Sequence, residues 1–187
     1  MSDDKRQKIL TSTLELVARQ GFHGTPASQI ATRAGVGVGT IYRYFKDKDE
    51  LIHALFHEVR QGLRGRIFKG LDEIDDLKQR FFISFSRMLR EFIAHPLEIR
   101  FIEQYHFSPY STCHNDNAEI NRDDEYVRLF NDLHDAGLIK DLPRVVLKSL
   151  TFGPLVSLAR EHDSRPFPVD EAIITATVQA CWDAITK

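Results

Sequence analysis

Apolar side chains recur at helical spacing along nearly the whole chain, and this pattern predicts an all-α protein. The first stripe runs from Lys5 to Gln20, and Gly21 follows it as a helix stop. No segment requires a strand, and "SPYSTCHNDN", from Ser108 onward, has the composition of a loop. The later helices are predicted over about 48–69, 77–94, 97–107, 118–136, 142–162 and 169–186.

Two short helices and a tight turn are predicted between Thr25 and Phe45. Thr25 is a candidate N-cap with Pro26 at the first helical position, and Gly35 ends this helix in the left-handed conformation. The next helix begins at about Gly37. This arrangement predicts a helix-turn-helix whose second helix can enter the major groove of DNA. An ordinary helical hairpin with surface tyrosines is the alternative.

The glycines of "AGVGVGT" do not have the spacing of a nucleotide-binding loop. The sixth position counted from Gly35 is Thr40, where a dinucleotide loop has glycine, and no β-branched apolar run precedes the segment. We therefore assign Gly35 to the bend. Gly39 would leave the second helix low enough for DNA to approach its backbone. Further on, Asp47 and Glu50 have the spacing of a capping box at the start of the fourth helix.

Composition is ordinary for a globular protein, but charge is distributed unevenly. Of 187 residues 42% are hydrophobic and 28% charged, and the charged start "MSDDKRQK" leads into no apolar run, which favours a cytoplasmic protein without membrane contact. Residues 1–69 hold 12 Lys and Arg against 7 Asp and Glu, whereas residues 70–187 hold 13 against 20. This asymmetry favours a polyanion partner for the first third alone. Cys113 and Cys181 lie far apart without metal-ligand spacing and are predicted to be packing residues.

From Ile9 to Leu51 the chain resembles the TetR family of bacterial transcriptional regulators. The residues that carry the resemblance are Ile9, Gly21-Phe22, Thr25, Ile30-Ala31, Ala34-Gly35-Val36, Gly39-Thr40-Ile41-Tyr42-Arg43-Tyr44-Phe45, Lys48 and Leu51. The resemblance implies an all-helical homodimer with a three-helix DNA-binding head and a larger body that binds a ligand. We place the head at residues 1–47 and the body at residues 48–187, with the helix 48–69 linking the two.

The chemistry of the head gives a set of candidate DNA contacts. Arg43 can pair bidentately with guanine or reach the DNA backbone instead, and Lys48 places a cation beside the free N–H groups of a helix start, which suits a phosphate. Hydroxyl groups nearby can donate to phosphate oxygens. The full predicted set is Ser28, Gly39, Thr40, Tyr42, Arg43, Tyr44 and Lys48.

The body is predicted to bind an unidentified small, largely apolar effector and to form the dimer. Aromatic residues with Met accept irregular apolar ligands, although core packing explains many of the same positions. The candidate ligand residues are Phe85, Met88, Phe92, Arg100, Phe101, Gln104, Tyr105, Tyr126 and Phe130. The two C-terminal helices carry the apolar positions expected of a four-helix dimer interface. A double-stranded operator is the other predicted partner, and the regulator is expected to be a repressor that the effector releases.

Two alternatives to a ligand-released repressor remain open at this stage. A metal-responsive regulator would recruit His53 and His57 together with His106, Cys113 and His114, although scattered surface histidines explain the same residues. A helical adaptor that binds other proteins would show no salt-sensitive binding to DNA. No nucleophile, base and orienting group come together in the sequence, so we predict neither an enzyme nor a cofactor or metal site.

Overall fold

The computed structural model describes residues 2–113 and 124–187, and these residues are helical almost throughout. Their only β pairing is an isolated antiparallel bridge between Ile139 and Thr186. The all-α prediction is confirmed. The helices are α1 (Ser2–Gln20), α2 (Ala27–Ala34), α3 (Val38–Tyr44), α4 (Lys48–Phe68), α5 (Leu77–Ala94), α6 (Pro96–His106), α7 (Tyr110–Cys113), α8 (Glu125–Asp135), α9 (Arg144–Ser164) and α10 (Glu171–Ile185).

The helices belong to two compact units. The head unit comprises the described residues of Met1–Gly62 and Leu97–His114, and the body unit those of Leu63–Pro96 and Asn115–Lys187. The chain therefore changes unit within α4, returns to the head unit for α6 and α7, and then completes the body unit. A functional boundary at residue 47 stays a prediction.

The core of the head unit is built by α1 to α4 together with α6. Phe101 and Tyr105 of α6 are 0% and 3% exposed and pack into the same cluster as the apolar side chains of the first helices. Those partners include Ile9, Leu10, Val17, Phe22, Ile30, Ile41, Phe45, Leu51, Ile52 and Phe56. Full burial of one such side chain is worth about 1.5–3 kcal/mol, so α6 contributes substantially to the stability of this unit.

The start of α2 differs by one residue from its prediction. Pro26 is the N-cap, with an extended backbone at φ −72° and ψ 154°, and the helix begins at Ala27. Thr25 is not the cap, because its side chain turns back to donate a hydrogen bond to the carbonyl oxygen of Gly21 at 2.8 Å. The end of α2 follows its prediction, since Gly35 is left-handed at φ 66°.

Two further boundaries differ from the apolar pattern. The predicted loop from Ser108 contains the short helix α7, and the rest of that loop lies outside the described residues. Helix α8 begins at Glu125, because Asp124 has an extended backbone and its carboxylate accepts a hydrogen bond from the N–H of Tyr126. The predicted start at about residue 118 also lies outside the described residues.

The body unit is organised around α5, which packs against α8, α9 and α10. Its buried stripe is the one predicted from the sequence, and the rings of Phe81 and Phe85 stack with centroids 4.1 Å apart. The last turn of α4 is fixed by Arg87, which donates to the carbonyl oxygens of Ile67 and Lys69 at 3.1 and 2.7 Å. None of the described helices combines the length and apolarity that crossing a membrane requires.

Candidate nucleic-acid interface

Helix α3 has one buried and one exposed side. Ile41 is 1% exposed and faces the core of the head unit, while Tyr42 is 50% exposed and Arg43 is also exposed. The hydrophobic period of the sequence thus orients this short helix, because Ile41 and the buried Phe45 must point inward. The outer side carries Gly39, Tyr42 and Arg43, three of the predicted DNA contacts.

Gly39 leaves open space on that outer side. A Cβ atom built at this position would meet nothing within 4 Å, so packing inside the described residues does not require glycine there. Its backbone conformation is helical and any residue can adopt it. A close approach from outside the chain is therefore a physical reason for glycine at this position.

The cations around α3 differ in whether they are paired. Arg33 forms an ion pair with Glu15, and Arg6 pairs with Glu58 at 3.0 Å. Arg43, in contrast, makes no ion pair or hydrogen bond with any residue that the structure describes. An exposed guanidinium with all five donors available can pair with a base edge or a phosphate.

The start of α4 holds Lys48 in a defined position. Asp47 accepts a hydrogen bond from the N–H of Glu50 at 2.8 Å, and the Glu50 carboxylate accepts from the N–H of Lys46 at 2.5 Å, which confirms the predicted capping box with a shift of one residue in its return bond. The Lys48 ammonium donates to the carbonyl oxygen of Phe22 at 2.6 Å. Burial lowers the pKa of Lys48, and the Asp49 carboxylate opposes this shift. Two of the three ammonium donors remain for another acceptor.

The remaining predicted DNA contacts differ in exposure. Ser28 is exposed on α2, and its carbonyl oxygen accepts a hydrogen bond from the Thr32 hydroxyl at 2.9 Å. Thr40 is half-buried at the start of α3. Tyr44 is also half-buried and packs against the head core, with its ring 6.5 Å from that of Phe45. The structure therefore brings Gly39, Tyr42 and Arg43 together on one face and places the others at its margins.

A buried polar pair joins α6 to α4 inside the head unit. The Tyr105 hydroxyl lies 2.8 Å from Nδ1 of His53, and the Tyr105 ring stacks on Phe56 with centroids 3.8 Å apart. His53 is thus engaged by a tyrosine, while Cys113 and His114 of the metal alternative fall where no side chain is described. Within the described part of the chain, no group of three or more metal-binding side chains converges.

The candidate effector residues fall into both units. Arg100, Phe101, Gln104 and Tyr105 belong to the head unit, where Phe101 and Tyr105 are core residues and Gln104 donates to the carbonyl oxygen of Ala18 at 3.4 Å. In the body unit the Tyr126 ring lies 4.4 Å from Phe130 and 4.6 Å from Phe152. The candidates that belong to the body unit are Phe85, Met88, Phe92, Tyr126 and Phe130.

Comparison with known families decides between the regulator and the adaptor. The sequence model "Bacterial regulatory proteins, tetR family" matches residues 9–55, and the model "Tetracyclin repressor-like, C-terminal domain" matches residues 77–186. The chain belongs to the TetR family. It is a DNA-binding transcriptional regulator with a helix-turn-helix head and a helical body, as the sequence predicts.

TetR-family relatives match over nearly the whole chain. An uncharacterized HTH-type transcriptional regulator from Haemophilus influenzae is 26% identical over 184 residues, which is 98% of this chain and 97% of the relative. The crystal structure of a TetR-family transcription regulator from Marinobacter aquaeolei superposes with a TM-score of 0.86 at 25% identity, covering 98% and 96% of the two chains. A putative TetR-family regulator from Vibrio parahaemolyticus gives a TM-score of 0.78 at 32% identity, covering 98% and 99%. These relatives are transcriptional regulators and not enzymes.

Lys46 and Phe152 are candidates that the sequence pattern alone does not single out. Lys46 is exposed beside the capping box, and its side chain makes no ion pair or hydrogen bond within the described residues. Its place next to a predicted phosphate contact is the signal that favours it. Phe152 precedes Gly153 and Pro154, which draw attention to a helix bend, and only the structure shows its ring against Tyr126.

Proposed function

We propose that this TetR-family regulator binds a palindromic operator as a homodimer and inserts α3 of each protomer into the major groove. The outer face of α3 carries this proposal, since it combines an open glycine, an exposed tyrosine and an arginine without an ion pair. Two recognition helices would then lie about 34 Å apart, one turn of DNA. Binding to chromosomal DNA places the protein in the cytoplasm.

Base and phosphate contacts divide between the centre and the margins of this interface. Arg43 is the side chain on α3 that can pair bidentately with guanine, and Thr40 and Tyr42 lie beside it for contacts to thymine methyl groups or phosphates. Ser28, Tyr44 and Lys48 would position the head through phosphates. Lys46 adds a further phosphate contact to the predicted set.

The outer faces of α9 and α10 support the predicted dimer. On α10 the exposed Ala172, Ala176 and Ala180 follow one helical stripe, and on α9 the exposed Ser149 and Gly153 follow another. Small side chains allow helices of two protomers to approach closely and to exclude water over a long contact. Such an obligate interface buries about 2,000 Å² or more.

The effector is proposed to bind against Tyr126 in the body unit. The Thr151 hydroxyl donates to the carbonyl oxygen of Leu147 at 2.8 Å, so in its 3.3 Å contact with Tyr126 the tyrosine must be the donor. Burial raises the pKa of Tyr126, and the neutral phenol oxygen keeps acceptor capacity inside an aromatic cluster. A small, largely apolar effector with one hydrogen-bond donor matches this surrounding. The other predicted effector residues stay candidates for its remaining contacts.

Effector binding is proposed to weaken operator binding, which makes the protein a repressor released by its ligand. Helix α4 begins at Lys48 and ends at Phe68, so a single helix carries a predicted phosphate contact and enters the body unit. A ligand acts only through its different affinities for two conformations. A coupling of about 1–3 kcal/mol would lower operator affinity roughly 5- to 150-fold.

The operator is first selected from a random-sequence duplex library with the unaltered protein. Operator affinity is then titrated for the unaltered protein and for Arg43→Ala, and failure to enrich any palindrome would overturn sequence-specific binding. Effectors are sought by thermal-shift screening, and each hit is titrated with and without operator. Identical effector affinities in the two titrations would exclude release by the ligand and leave DNA binding intact.

A further inference from the structure

Tyr110 of α7 contacts the part of the head unit from which α4 begins. Its ring packs against Phe22 with centroids 4.9 Å apart and against His53 with centroids 5.8 Å apart. Its hydroxyl donates a hydrogen bond to the carboxylate of Asp49, in the first turn of α4. Burial, with a further effect from Asp49, raises the pKa of Tyr110, so the hydroxyl keeps its proton.

Both partners of Tyr110 are also the groups that surround the Lys48 ammonium. The carbonyl oxygen of Phe22 accepts from Nζ of Lys48 at 2.6 Å, and the Asp49 carboxylate interacts electrostatically with the same ammonium. Lys48, Phe22, Tyr110 and Asp49 therefore form a closed circuit of contacts. Tyr110 is separated by more than sixty positions from Lys48 in the sequence, so α7 is attached to the DNA-facing end of α4 through tertiary contacts alone.

We propose that Tyr110 is a positioning residue for the contact between Lys48 and an operator phosphate. The proposal rests on the phosphate contact of the proposed function. Tyr110 would act in two ways, by holding Phe22 where its carbonyl oxygen fixes the ammonium and by keeping the Asp49 carboxylate turned toward α7.

The physical basis is preorganisation of a flexible cation beside an acidic neighbour. A lysine side chain has many rotamers, and fixing it before DNA arrives removes part of the entropic cost of binding. Asp49 is exposed and follows Lys48 directly, so a carboxylate released from Tyr110 can neutralise the ammonium and repel the phosphate. The Tyr110 hydroxyl prevents this by binding the carboxylate.

The test is a double-mutant cycle on an operator selected from a random-sequence duplex library by the unaltered protein. The variants are Tyr110→Phe, which keeps the ring and removes the hydroxyl, Lys48→Ala, and the double variant. Operator affinity is measured as a function of salt concentration. Lys48→Ala should reduce the slope of log affinity against log salt by about 0.9 for each phosphate that is no longer neutralised, or about 1.8 for a dimer.

Tyr110→Phe should weaken operator binding about threefold to tenfold when Lys48 is present and should have no effect when Lys48 is alanine. Equal effects of Tyr110→Phe in both backgrounds would overturn the positioning role, because a residue that only packs the head acts independently of Lys48. An unchanged salt slope for Lys48→Ala would instead refute the phosphate contact of the proposed function.

Ser111→Ala is the matched control. Ser111 lies next to Tyr110 in α7, and its hydroxyl donates to the carbonyl oxygens of His106 and Ser108 at 3.1 and 3.0 Å, without contact to Lys48. Removing this hydroxyl should leave operator affinity and its salt slope unchanged. If Ser111→Ala weakens binding as much as Tyr110→Phe, disturbance of α7 explains both variants and the proposal fails.

Discussion

Replacing Gly39 with alanine should make the protein slightly more stable and its operator binding weaker. Gly39 is the second residue of α3, and an added Cβ atom would meet nothing within 4 Å. Stability and binding should change in opposite directions because the substitution restricts the unfolded chain and also adds a methyl group to the face proposed to meet DNA.

Both magnitudes can be derived from this position. Glycine inside a helix costs about 0.5–1 kcal/mol relative to alanine, and a first-turn position favours the lower end of that range. About 0.5 kcal/mol raises the midpoint of thermal unfolding by roughly 1–2 °C in a chain of this size. An extra methyl group in a closely packed contact costs about 1–3 kcal/mol, which weakens operator binding about 5- to 150-fold.

Thermal unfolding by circular dichroism and operator titration by fluorescence anisotropy measure the two effects on the same sample. Gly65→Ala is the matched control, because Gly65 is an exposed helical glycine of α4 and its added Cβ atom would also meet nothing within 4 Å. It should raise stability without changing operator affinity. If Gly39→Ala binds the selected operator as tightly as the unaltered protein, the backbone at Gly39 does not approach DNA and the assignment of this face is refuted.

Three further substitutions test other parts of the structure. Arg43→Ala should relax the preference at one base pair by about 1–3 kcal/mol, and an equal loss on operator and random duplex would assign Arg43 to the DNA backbone instead. Tyr105→Phe removes the hydroxyl that meets the buried Nδ1 of His53, which should cost about 1–3 kcal/mol of unfolding free energy; an unchanged midpoint in urea would contradict that assignment. Ala176→Arg places a charge on the exposed stripe of α10 and should yield monomers in light scattering, whereas a persistent dimer would locate the interface elsewhere.

Local sequence signals predict most of the helices because their causes lie within a few residues. The left-handed Gly35 ends α2 as expected, and the capping box at Asp47 and Glu50 starts α4. Thr25 shows the limit of such signals, since a hydroxyl before proline is a typical N-cap and its buried side chain instead binds the end of α1. The choice between these two acceptors is decided by packing.

Assignment of α6 to the head unit could not be predicted, because the apolar period of a helix shows which side is buried and not against which partner. His53 and Tyr105 are 52 positions apart, and nothing in either local sequence indicates their hydrogen bond. The same limit applies to Tyr110, whose surrounding sequence has the composition of a loop. Its contacts with Phe22 and Asp49 depend on where α6 ends.

The partners of the buried tyrosines distinguish two kinds of aromatic position that look alike in the sequence. Tyr105 and Tyr126 both occupy apolar stripes and both are effector candidates. The Tyr105 hydroxyl meets a histidine nitrogen at 2.8 Å inside a core that α6 completes, so its hydrogen bond contributes to holding that helix in the head unit. Tyr126 donates to Thr151 over a longer 3.3 Å and keeps acceptor capacity among aromatic rings. A ligand that must be bound and released gains more from the second environment, because it can add a hydrogen bond there without first breaking one.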